Sequence, residues 1–170
     1  MVSPVDERLQ TIYQTLREIA ARRLGAGGKR KFQVDPTELA NEVWVKLSAA
    51  GHLEPAQRAE FLPLAARAVR SVLVDLVRSR NSLKRGGDRE RVTLSGQIAG
   101  QQRDEVELLA LDEALVELEK VSERQARIVE LRYFGGLTVD ETAIALGISP
   151  RTVDGDWKMA RLWLRRALEG

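Results

Sequence analysis

A chain of 170 residues, 44% of them hydrophobic, can hold one ordinary domain or two small ones and bury real cores, which excludes disorder throughout. Its 27 Lys and Arg against 25 Asp and Glu leave a formal charge of only +2, so the total neither demands nor excludes a nucleic-acid partner, and the distribution must decide. With no cysteine, disulfides, thiolate zinc sites and cysteine nucleophiles are removed; the acids of the N-terminal ten residues and the lack of any long uncharged apolar run make an unexported, cytoplasmic protein without membrane insertion the expectation.

From about Val5 to Leu24 the apolar residues Leu9, Ile12, Tyr13, Leu16, Ile19 and Ala20 recur at three- and four-residue steps, predicting an amphipathic helix ended by Gly25, Gly27 and Gly28. After the basic patch Lys29, Arg30, Lys31, Asp35 can cap a second helix with Pro36 in its first turn. That helix runs to about Ala49, with Leu39, Ala40, Val43, Trp44 and Leu47 on one face and Glu38, Glu42 and Lys46 along another. Gly51 and Pro55 interrupt before a third segment, about Ala56 to Arg80, whose apolar positions run from Phe61 to Leu76 and whose other side is studded with arginines. Asn81 to Gln102 has glycines, Ser, Gln and Arg but no sustained period, and reads as a linker. An acidic helix follows from Asp104 to Leu118, marked by Leu108, Leu111, Leu115 and Leu118. Strands find no place, so the expected fold is all-α: two small helical domains joined by a flexible linker, divided as 1–83, 84–103 and 104–170.

The strongest local pattern lies between Arg124 and Leu168. A helix from about Ser122 to Phe134 stops at Gly135-Gly136. Thr138-Val139-Asp140-Glu141 is a capping box, starting a short helix that ends at Leu146, and Gly147 makes the turn. Ser149-Pro150 then caps a last helix with proline at its first position. Two helices separated by a short glycine turn make a helix-turn-helix. Val153, Trp157, Ala160 and Leu164, at i, i+4, i+7 and i+11, should bury against Ala143, Ile144, Leu146 and Ile148. Arg151, Thr152, Asp154, Gly155, Lys158, Met159 and Arg161 are left around the opposite or flanking surface. In a DNA-binding helix-turn-helix this puts Arg151, Asp154, Gly155 and Lys158 nearest base edges, with Arg161, Arg165 and Arg166 towards phosphates. The bland alternative is a capped helical hairpin with a solvated arginine face. Gly155 within a helix is either a close approach to a DNA backbone or simple tolerance.

Other function classes find little support. His52 is the one histidine, in a loop, with nothing near it in sequence that suggests a metal cluster or a triad. Gly25, Gly27 and Gly28 precede Lys29 without phosphate-loop spacing. No enzyme activity, cofactor, metal or small-molecule substrate is therefore expected. Within DNA binding, a stand-alone regulator acting as a dimer and a pure adaptor remain as alternatives.

The N-terminal half narrows the choice. VDPTELANEVWVKL, from Val34 to Leu47, resembles the core-binding helix of region 2 of the sigma-70 family. FLPLAARAVRSVLVDLVRSRNSLKRGG, from Phe61 to Gly87, is similar to the promoter-melting segment that follows it, and the C-terminal block is similar to region 4. Together they span nearly the whole chain in the right order, without room for regions 1 and 3, so the resemblance is to a minimal extracytoplasmic-function (ECF) sigma factor. It implies a promoter-recognition subunit whose partners are core RNA polymerase, through the beta-prime clamp and the beta flap, and promoter DNA, with an anti-sigma factor as an optional third.

By that resemblance Asp35, Glu38, Leu39, Glu42 and Trp44 would dock on the beta-prime clamp, although Leu39, Val43, Trp44 and Leu47 also fit a plain core role. Arg67, Arg70, Ser71, Arg78, Arg80, Lys84 and Arg85 would meet the minus-ten element and the separated strand. Arg151, Thr152, Asp154, Gly155, Lys158, Arg161 and Arg165 would read the minus-thirty-five element. One departure stands out: Phe61 is the sole aromatic between Trp44 and Tyr133, so base capture by hydrogen bonding fits this chain better than stacking. The acidic stretch from Asp104 to Glu123 suits contact with polymerase or an inhibitor, and the modest total charge predicts weak DNA binding without the polymerase.

Overall fold

The structure, a computed structural model, describes residues 4–25, 32, 34–53, 58–86 and 96–170, of which 58, 84–86 and 96–103 in backbone only. Among these residues the protein is all-helical. Helix α1 spans Pro4–Leu24, α2 Pro36–Ala49, α3 Arg58–Gly86, α4 Gly96–Val121, α5 Glu123–Val129, α6 Val139–Leu146 and α7 Pro150–Glu169. α5 runs without a break into a π-helical turn, Glu130–Phe134.

The boundaries follow local chemistry. Asp35 stays extended and its carboxylate accepts the Thr37 amide at 2.8 Å, with Pro36 opening α2. Ser122 likewise accepts from the Gln125 amide and divides α5 from α4. The expected linker is shorter than its composition suggests. α3 continues to Gly86 and α4 begins at Gly96, so only 87–95 of that stretch lies outside both helices, and outside the described residues. Apolar periodicity reports burial rather than helicity: Ser82 and Leu83 are exposed helical residues, Leu83 by 76%, and leave no stripe to read. The patch Lys29 to Lys31 and the interruption at Pro55 fall outside the described residues.

α1 packs on α2 and α2 on α3, with Leu16, Ile19, Ala20, Leu39, Val43, Leu47 and Leu73 buried between them. Tyr13 meets Trp44 edge to face at 5.8 Å and donates its hydroxyl hydrogen to Asn41 Oδ1 at 2.6 Å. In the C-terminal half α4, α5 and α7 pack on one another, and α6 lies on α7. The two halves meet. α3 lies along the π-turn and α4, and one buried cluster continues from Leu73 and Val69 to Leu115, Leu118, Leu131 and Phe134.

Glycine makes that approach possible at the end of the π-turn. A Cβ on Gly135 would stand 3.2 Å from Ala66 Cβ of α3, 2.8 Å from Leu137 Cδ1 and 2.6 Å from the Leu131 carbonyl oxygen. Gly136, at φ +64, is left-handed and lies against the Arg22 stem of α1. The glycine pair expected to end a helix is therefore also where the halves touch. Arg23 of α1 adds a polar clasp: its guanidinium lies 3.9 Å from the Tyr133 ring centroid and donates to the Tyr133 hydroxyl at 2.7 Å. Burial lowers the Arg23 pKa, and burial likewise raises that of Tyr133 against the opposing pull of Arg23.

Gly135→Ala should therefore destabilise the protein by about 1–3 kcal/mol through overpacking. Urea unfolding checks it, and an unchanged midpoint would show that the halves do not depend on this contact.

Candidate nucleic-acid interface

The helix-turn-helix forms by the rules written into its sequence. Thr138 Oγ1 accepts the Glu141 amide at 3.1 Å, and a Glu141 carboxylate oxygen accepts the Thr138 amide at 3.4 Å, completing the capping box. α6 closes at Gly147, which is left-handed at φ 65, while the Ile148 amide returns to the Ala143 carbonyl at 3.0 Å. Ser149 then accepts the Thr152 amide at 3.1 Å, and Pro150 leads α7.

The face of α7 turned inwards is the expected one. Val153 and Ala160 are fully buried, Leu164 is buried and Trp157 is half-buried. Val153 packs with Ile128 and Ala143, and Leu146, Ile148 and Trp157 close round them. Ile144 is a correction: it was expected in this contact but is 72% exposed. It follows Ala143 by one residue, about 100° round the helix, so with Ala143 inward its side chain swings out. Met159 is likewise exposed, by 57%.

The opposite side of α7 carries the candidate contacts. Arg151, Asp154, Gly155, Lys158, Arg161 and Arg165 are exposed and Thr152 is half-buried, its hydroxyl 2.8 Å from Ser149 Oγ. A Cβ on Gly155 would meet nothing within 4 Å, so no contact inside the protein requires glycine there. Two contacts tie this helix to its neighbours. Arg124 of α5 pairs with Asp156 at 2.5 Å, and that hydrogen bond raises the Arg124 pKa. Arg132 of the π-turn lies 4.4 Å over Trp157, with Arg161 at 5.8 Å from the same ring. An open groove between α4 and α7 is lined by Val106, Leu111, Val129, Leu164 and Leu168, with Arg165 among its lining residues.

The α3 arginines are in a different situation. Arg70 is 15% exposed and bridges two acids of the C-terminal half: its Nε donates to Asp112 at 2.7 Å and its Nη1 to Glu130 at 2.9 Å. Burial works against its charge, but the hydrogen bonds to Glu130 and Asp112 prevail and raise its pKa. Arg67 reaches Glu130 at 3.6 Å and Glu119 at 4.0 Å, and Arg78 reaches Asp112 at 3.6 Å. Arg80 donates to the Phe32 carbonyl and pairs with Glu105 at 3.4 Å. Ser71 accepts from Lys46 of α2, which also pairs with Asp75. The side chains of Lys84 and Arg85 lie outside the described residues. Sequence reasoning singled out these arginines but not the acids that hold them. The partners stand 42 and 60 positions away from Arg70, beyond any helical period. The available signal was Glu130, the lone acid in a run from Ile128 to Phe134 that is otherwise apolar save for Arg132; in the structure it is only 8% exposed.

On α2, Glu38 and Glu42 are exposed, Asp35 is half-buried and occupied as the helix cap, and Trp44 is half-buried against Tyr13. Leu39 is fully buried and supports the helix from behind. Among the described residues no group of acids and histidine could hold a metal ion, and no helix is long and apolar enough to cross a membrane.

A family model described as ECF sigma factor matches residues 4–170. Neither the curated proteins nor the solved structures contain a match to the chain.

The geometry fixes what the caps contribute. Ser149→Ala removes the acceptor for the Thr152 amide and should cost about 1 kcal/mol. Thermal unfolding with Thr138→Ala as a parallel cap deletion tests this, and no loss in either variant would contradict the capping geometry.

Proposed function

The chain belongs to the ECF sigma factor family, whose members are RNA polymerase sigma factors, and on that premise we propose that it directs core polymerase to a subset of promoters and takes part in opening them. The observation that carries this proposal is the exposed row Arg151, Asp154, Gly155 and Lys158 on the N-terminal half of a capped helix whose other face is locked into the core. In a helix-turn-helix that half enters the major groove, where Arg and Lys can donate to guanine and Asp can accept from cytosine. Arg161 and Arg165, one to two turns further on, then meet the phosphates of the minus-thirty-five element.

The remaining contacts are assigned by what the family resemblance implies, and the exposure of the side chains supports some of them. Glu38 and Glu42 form an acidic, exposed ridge on α2, with Asp35 at its start and Trp44 beside it, and this ridge docks on the beta-prime clamp. Leu39 acts by holding the ridge in place. The apolar groove between α4 and α7 offers a seat for the beta flap. On α3, Arg67, Arg70, Ser71, Arg78 and Arg80, together with Lys84 and Arg85, supply the minus-ten and strand-separation surface. The absence of aromatics from this face favours hydrogen bonding to bases over stacking.

Reconstituted transcription with purified core polymerase on genomic fragments tests the proposal: initiation from a subset of fragments is expected, and indifference to core enzyme would refute it. Arg151→Ala and Lys158→Ala should each weaken promoter binding by about 1–3 kcal/mol where they touch a base edge, with relaxed specificity at one position. Gly155→Ala should raise stability by about 0.5–1 kcal/mol yet weaken promoter binding, because the new methyl stands on the DNA side. A variant that is more stable and binds equally well would make Gly155 a merely tolerated glycine.

A further inference from the structure

The exposed side of α7 has a gap in it. Gly155 is flanked by Arg151 and Thr152 one turn earlier and by Lys158 and Met159 one turn later, the positions that neighbour a helical residue. A Cβ on Gly155 would meet nothing within 4 Å, and alanine is the better helix former, so neither packing nor helix formation calls for glycine. What is missing is the volume of one methyl group. The border of the gap is mixed: Arg151 and Lys158 are exposed cations, whereas Thr152 is half-buried with its hydroxyl 2.8 Å from Ser149 Oγ. Met159 is the wholly apolar member, and it is exposed although Val153, Ala160 and Leu164 of the same helix are buried. Side chains on a helix lean towards its N-terminus, so a long one at i+4 lies over the turn that holds residue i. By that rule Met159 is the residue that can wall the space beside Gly155.

One base presents an apolar group in the major groove: thymine, through its 5-methyl. We propose that Gly155 and Met159 form a seat for the 5-methyl group of one thymine in the minus-thirty-five element, beside the bases that Arg151 and Lys158 contact. The proposal rests on the reading that α7 lies in the major groove. Glycine lets the methyl approach the helix backbone, and the polarisable Met159 side chain closes over it and excludes water. From Arg151 to Gly155 the helix rises about 6 Å, close to two base-pair steps of about 3.4 Å each. The thymine therefore falls within two pairs of the base taken by Arg151. Arg151, Asp154 and Lys158 suit guanine and cytosine; the seat adds a preference for one A·T pair in one orientation.

The test uses holoenzyme reconstituted from the full chain and core polymerase, on a promoter that it opens. Each thymidine of the minus-thirty-five element is replaced in turn by deoxyuridine, which removes only the methyl group. One thymidine, within two pairs of the position where Arg151→Ala relaxes specificity, should bind about fourfold more weakly as deoxyuridine, the worth of one buried methyl group. Met159→Gln should bring that ratio close to one at an unchanged melting temperature, and Met159→Leu should keep it. Gly155→Ala should reverse its sign: the alanine methyl fills the seat, so binding is weak on thymidine and recovers on deoxyuridine. Arg151→Ala should weaken binding to both templates alike and leave the fourfold ratio in place. If every thymidine tolerates loss of its methyl, or none lies there, the inference is overturned, while weakened binding by Arg151→Ala and Lys158→Ala still upholds the groove reading. If those two variants bind like the unsubstituted chain, the groove reading falls and the seat with it. A methyl effect that persists in both Met159→Gln and Gly155→Ala belongs to another part of the complex and overturns the seat alone.

Discussion

Arg70 holds a positive charge where two helical halves meet, and much of the molecule is arranged round that one group. No acid lies beside it on α3, where Arg67 one turn earlier adds a second positive charge, so the compensation has to come from across the contact, from Asp112 and Glu130. Such an arrangement is lopsided in energy. A satisfied buried pair is close to neutral against an apolar alternative, whereas removing one partner is destabilising by about 3–5 kcal/mol. The contact is therefore cooperative: it stands with all three groups in place and weakens steeply when one is withdrawn. Gly135 belongs to the same arrangement, because a Cβ there would crowd Ala66 of α3 where the π-turn that carries Glu130 lies against it.

Much of the fold was legible because it is governed by neighbours in sequence. The Asp35 cap, the capping box at Thr138, the left-handed Gly147 and the Ser149-Pro150 start each involve groups within a few residues of one another, and each is present. The inner face of α7 was equally readable from the steps between Val153, Trp157, Ala160 and Leu164. Ile144 escaped because α6 has only eight residues, too few for hydropathy to say which of two adjacent apolar side chains faces in. The ends of α3 and α4 escaped for a related reason: once a helix leaves the core its apolar stripe stops, though its hydrogen bonds continue.

The candidate site was only half legible. An exposed row on a capped helix follows from spacing, so Arg151, Asp154, Gly155 and Lys158 could be named in advance. What the α3 arginines touch depends on how distant segments pack, and periodicity carries no information about it. Arg67, Arg70 and Arg78 read as a solvated or DNA-facing surface; the structure gives each of them a carboxylate from the other half. The same charges thus carry a folding role and a proposed recognition role, and a substitution there disturbs both.

The π-turn between α5 and α6 sets more than a local kink. Over Glu130–Phe134 the chain carries one residue more than an α-helical path would need, with the Gly135 amide reaching back to the Glu130 carbonyl at 3.2 Å. One residue corresponds to about 100° of helical rotation. A single deletion in this stretch would therefore re-aim everything downstream, swinging the exposed side of α7 away from its bearing relative to α3. The bearing of the Arg151 and Lys158 side of α7 relative to the arginines of α3 is thus stored in five residues between them, and a change of length here would turn one against the other without altering any of those side chains.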